Sequence, residues 1–62
     1  MTAEPSEADR ARAAALYRRA RELHDRKDYR AARPLYEESL SLVEDAAVRA
    51  DYLALMATIG PM

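Results

Sequence analysis

Cysteine is absent from the 62 residues, so no disulfide can staple the fold and no thiolate can hold a metal. That absence fits a reducing compartment, and the expected location is cytoplasmic. Phenylalanine and tryptophan are absent too, which leaves four tyrosines as the only bulky rings. Strand formers are scarce: Val43, Val48, Ile59 and two threonines, in no alternating apolar–polar run, so no strand is expected. No stretch approaches the roughly 18 apolar residues of a membrane span. The segment Met1 to Arg10 is polar and acidic and has none of the apolar centre of a secretory signal. The chain is therefore expected to stay where it is made, with no membrane partner.

What is present favours helix. Alanine, leucine, arginine and glutamate dominate, all of them good helix formers, and there is a single glycine. The length allows one domain, read here as residues 6–62 behind a flexible N-terminus of residues 1–5. A domain this small buries a modest core, so its stability must come from well-packed helices or from self-association. The formal net charge of −1 hides an asymmetry. Residues 10–33 carry nine basic side chains against three acidic ones, whereas residues 34–62 carry Arg49 against five acids.

Three helices follow from the pattern. Ser6 caps the first, with Asp9 three residues on as in a capping box, and Pro5 blocks extension backwards. Its apolar stripe is Leu16, Ala20 and Leu23, with Ala13, Tyr17 and His24 beside it. The stripe fails at Lys27, and a new phase runs through Tyr29, Ala32, Tyr36, Leu40 and Val43. Two breaks fit. Either Asp28 caps a second helix starting at Tyr29, or the first helix continues to about Ala32 and the second opens with Pro34 in its first turn. The change of phase favours the turn at Lys27, which puts Pro34 inside the second helix at a cost of about 3 kcal/mol and predicts a kinked or frayed start. Asp45 caps a third helix ending near Ile59, with Gly60 and Pro61 as the stop. Val48, Tyr52, Leu55, Met56 and Ile59 line one face of it, and Ala50, Leu53, Ala54 and Ala57 continue round the side. A helix apolar nearly all round calls for burial on more than one side.

The segment from about Ala13 to Ala46 resembles one tetratricopeptide repeat, a unit that stacks helix pairs every 34 residues. At the family's W-x-x-L-G-x-x-Y places stand Leu16, Arg19, Ala20 and Leu23. Twelve residues after Ala20 comes Ala32 at the small second-helix place, then Tyr36 at the aromatic one and Ser39 at the next small one. Lys27-Asp28-Tyr29 looks like the family's turn. Arg19 departs from the pattern where a leucine is usual, Glu44 stands where proline would close the repeat, and Pro34 has no counterpart. Ala54 lies one period after Ala20, in phase with a second repeat. A three-helix domain of microtubule-interacting-and-trafficking type is a similar case. Both resemblances imply an all-α architecture, a helical hairpin plus a capping helix, which binds peptides or helices in grooves. Neither implies a catalytic residue.

The residues themselves offer little chemistry. His24 is the only histidine and has no cysteine or second histidine to share a metal or act with as a base. Glu37 with Glu38 and Glu44 with Asp45 are neighbours on a helix, and their carboxylates diverge. No catalytic residue, cofactor or metal is expected. The basic stretch, with Arg18, Arg19, Arg21, Arg26 and Arg30, admits a second reading as a regulator associated with nucleic acid. Acidic residues interrupt that stretch and the sequence pI is about 5.7, which disfavours it. The expected function is a protein-interaction module, either an adaptor or a self-assembling unit. The expected partner surface is an apolar groove, with Tyr17, Arg21 and His24 from the first helix and Tyr52, Leu53 and Met56 from the third.

Overall fold

The computed structural model describes residues 4–60 and contains three helices: α1 (Glu7–Asp25), α2 (Tyr29–Leu42) and α3 (Ala46–Ile59). The expected all-α three-helix domain is what forms. Residues 1–3 of the expected flexible N-terminus and the stop at Pro61 lie outside the described residues. No helix among the described residues is long and apolar enough to cross a membrane.

Each boundary has a local cause. The Ser6 hydroxyl accepts the backbone N–H of Asp9 at 3.0 Å, so α1 starts on the side-chain cap the sequence implies. Its far end is tied off by Asp28 N–H donating to Leu23 O at 2.8 Å, which requires Lys27 to turn into the left-handed region at φ 66°. Asp28 then takes the N-cap position of α2, but its side chain makes no capping bond, contrary to expectation. The first turn of α2 nonetheless closes through Ala32 N–H to Asp28 O at 3.1 Å, so the start is formed rather than frayed.

Pro34 sits inside α2, and it deprives the Arg30 carbonyl of its helical donor. Both residues are exposed, so water can serve that carbonyl and the ring projects away from the core. Asp45 caps α3 by accepting Ala47 N–H at 2.8 Å, and Gly60 ends it at φ 86°.

The core is small and centred on α2. Ala20 and Leu23 of α1, Ala32 and Tyr36 of α2, and Val48 and Leu55 of α3 form one buried cluster. Alanines at 20 and 32, both wholly inaccessible, let the first two helices approach closely. Ser39 is buried beside them, and its hydroxyl is satisfied by donating to Ala13 O at 2.9 Å. α2 packs along both α1 and α3, whereas α1 and α3 meet much less closely. That leaves a cleft between the outer two helices, floored by α2.

Candidate functional site

The cleft opens into a cavity at the end formed by the start of α1, the end of α2 and the start of α3. Ala13, Ala14, Tyr17, Val43 and Val48 give it apolar walls, Ser39 lies at its floor, and Arg10 and Asp45 stand at its rim, around a cavity of about 260 Å³. The helical spacing puts Arg10, Ala14, Tyr17 and Arg21 on one strip of α1. α3 enters this end through its capped N-terminus and presents Val48 one turn further on.

Farther along, the cleft is bridged by polar groups. The Tyr17 hydroxyl donates to Asp51 Oδ2, and an Arg21 guanidinium nitrogen lies 3.5 Å from Asp51 Oδ1. The hydrogen bond to the Asp51 carboxylate, followed by burial, raises the Tyr17 phenol above its ordinary value of 10.0, since ionising it would place two anions side by side. Asp51 likewise raises Arg21, which also sits 3.6 Å from Asp25.

Below the bridge lies Tyr36, wholly buried, with its ring 6.2 Å from Tyr17, 5.9 Å from His24 and 6.4 Å from Tyr52. Its hydroxyl meets His24 Nδ1 at 2.9 Å, and burial raises the Tyr36 phenol above the usual range. On the far side of α3, the Tyr52 hydroxyl donates to Glu37 Oε2 at 2.7 Å, and Arg33 meets the same oxygen at 3.1 Å. These two donors, Tyr52 first, lower the Glu37 carboxyl below its ordinary 4.5.

The six residues read from the sequence as a partner surface are thus distributed over the molecule. Tyr17 lines the cleft, and Arg21 stands on the same strip, tied across to α3. His24 is half-buried and turned to Tyr36, with its ring edge-on to Tyr29 at 5.7 Å. Tyr52 faces α2, Met56 is half-buried, and Leu53 is 56% exposed on the outer side of α3. Sequence reasoning missed Arg10, Ala14, Val43, Asp45 and Val48 as cleft residues, and it missed Asp51 as the bridge. The one signal that could have found Asp51 is its distance of 34 residues from Tyr17, the period of the repeat that the sequence resembles.

Within the basic stretch, four side chains are paired inside the chain: Arg12 with Glu38, Arg19 with Glu22, Arg21 with Asp25 and Asp51, and Arg33 with Glu37. Arg10 at the cleft rim has no ion-pair partner among the described residues, and neither do Arg18, Arg26, Lys27 and Arg30 of the same stretch. Set against family models, curated proteins and solved structures, the chain matches none at a significant level.

Proposed function

We propose that the chain is a protein-interaction module that takes an amphipathic helix or peptide into the cleft between α1 and α3. The observation that carries this reading is the cavity itself, walled by Ala13, Ala14, Tyr17, Val43 and Val48 and large enough for one apolar side chain. Arg10, at the rim on the α1 side opposite Asp45, favours a ligand with a carboxylate flanking that anchor. The anchor supplies most of the affinity, and the charges set orientation and association rate. The tetratricopeptide-like set of Ala20, Ala32 and Tyr36, all buried in the hairpin, supports the same reading. In that comparison the cleft is the inner side of the first turn of a superhelix.

Selection from a displayed library of random amphipathic peptides tests it. The expected winners share one large apolar residue with acidic neighbours. Ala14→Trp, which fills the cavity from an exposed position, should abolish their binding while circular dichroism stays unchanged. Selection of no sequence above background, or equal binding by Ala14→Trp, would remove the reading.

A further inference from the structure

The outward side of α3 is a second surface, away from the cleft. Ala46, Ala47, Ala50, Leu53, Ala54 and Ala57 are all exposed, and none carries charge, in a chain of which 34% is charged. Leu53 lies at one edge of this face, about midway along the helix, and is the most exposed large apolar side chain of the described residues.

Two observations say what kind of surface this is. One is an internal register. Thirty-four residues before Ala47, Ala54 and Ala57 stand Ala13, Ala20 and Leu23, which α1 buries. α3 therefore presents to water the positions that α1 uses to pack against a helix. The other is electrostatic. The charged side chains on either flank of the face already have partners within the chain. Arg49 holds Glu44 through two bonds of 2.6 and 3.1 Å, and Asp51 is taken by Tyr17 and Arg21. A charged partner helix would have to break these pairs to find a counter-charge, so the face fits an uncharged, self-complementary occupant.

We propose that this occupant is α3 of a second copy, running antiparallel about a two-fold axis near residue 52. The spacing 47, 50, 54, 57 is that of the seam positions of a heptad. Ala47 with Ala57 and Ala50 with Ala54 share one midpoint, so a single register brings both pairs together across the axis. Leu53, one residue from the midpoint, then meets its own counterpart and covers the alanine seam. The two helix dipoles oppose each other, which favours the antiparallel sense.

A helix of this length runs about 21 Å. One such strip buries well under the roughly 800 Å² per partner of a stable complex, so the pairing is weak and concentration-dependent. The inference rests on the interaction-module reading only in its broadest sense, because the face and the cleft are separate surfaces.

The chain has no cysteine, so single cysteines report the register cleanly. At high micromolar concentration under mild oxidation, Leu53→Cys should form a disulfide-linked dimer at least tenfold faster than an Arg18→Cys control. Ala57→Cys alone should lag, because its counterpart lies about 15 Å along the axis, beyond the roughly 7 Å limit of a disulfide. Mixing Ala47→Cys with Ala57→Cys should give the mixed dimer. Leu53→Glu should stay helical and sediment as a monomer at concentrations where the unmodified chain shows dimer. Linkage of Leu53→Cys no faster than the control, Ala57→Cys linking as fast as Leu53→Cys, or a monomeric unmodified chain would each overturn the proposal. Ala14→Trp should leave the cross-link intact, so failure of the cleft and failure of this face remain separate results.

Discussion

Tyr36 shows how much a single residue can do in a core this small. It is the largest fully buried side chain, and it is reached by Tyr17 and His24 from α1 and by Tyr52 from α3. Its neighbours must be small for the helices to close over it, which is why Ala20 and Ala32 have no exposed surface. Overpacking such positions costs about 1–3 kcal/mol. Ala20→Leu and Ala32→Leu should each lower the thermal midpoint clearly, while Ala11→Leu on the exposed side of α1 should leave it in place. Thermal denaturation followed by circular dichroism checks this. The small–small–aromatic set was legible in the sequence through the resemblance to a tetratricopeptide repeat, whose pattern has small and aromatic residues at those places. The hydroxyl chemistry around it was not, because Ser39 to Ala13 and Tyr36 to His24 depend on how the helices come together. Lys27 adds a residue-scale test. At φ 66° a side chain is mildly strained, and Lys27→Gly should raise stability by up to about 1 kcal/mol, read as a higher midpoint.

Among the elements, α2 carries the most connections and is also the one whose limits were hardest to read. The phase change at Lys27 located its start correctly, and Pro34 pointed the other way. Proline's cost is local: it removes one bond to an exposed residue's carbonyl, while the buried stripe through Ala32, Tyr36 and Ser39 is satisfied by two other helices. The stripe therefore prevails.

α2 also holds α3 through a polar contact that responds to acid. Glu37, lowered by Tyr52 and Arg33, and Glu44, lowered by Arg49, both titrate below 4.5 when folded. For such groups the stabilisation is full above the unfolded value and disappears as the pH falls through the lowered folded value. The thermal midpoint should therefore drop as the pH is taken below about 4.5. Glu37→Gln should flatten that part of the profile, and high salt should weaken it, because both pairs are exposed.

For the molecule as a whole, the decisive fact is that one side of α3 is buried and the other is bare. The composition of the helix already implies a surplus of apolar surface, since after the first turn only Arg49 and Asp51 are charged. Which apolar residues would be covered was largely legible: of the face read through Val48, Tyr52, Leu55, Met56 and Ile59, Val48 and Leu55 are buried and Tyr52 and Met56 half-buried, while only Ile59 at the end stays exposed. α2 makes the choice: Val48 and Leu55 go in, Leu53 stays out. The residues read as a partner surface are nonetheless scattered, because Tyr52 packs on α2 and Leu53 lies on the outer side of α3. Tyr17 and Arg21 share one strip of α1, and the α3 residues that face it are Val48 and Asp51. If the basic stretch were instead a phosphate-binding surface, binding to a nucleic acid probe would fall steeply with salt. With Arg12, Arg19, Arg21 and Arg33 already paired inside the chain, only weak binding of this kind is expected in a salt titration.

The single carboxylate of Asp51 accepts from Tyr17 and pairs with Arg21, and it spans the gap where α1 and α3 otherwise approach little. α3 is thus fastened along one side by apolar packing on α2 and along the other by one side chain. Such an element opens as a unit at less free energy than the whole chain needs to unfold. In native-state hydrogen exchange the amides of α3 should lose protection together and before those of the α1–α2 hairpin. Asp51→Asn should widen that difference while the hairpin amides keep their rates. Equal protection across all three helices would mean that the domain opens only by global unfolding.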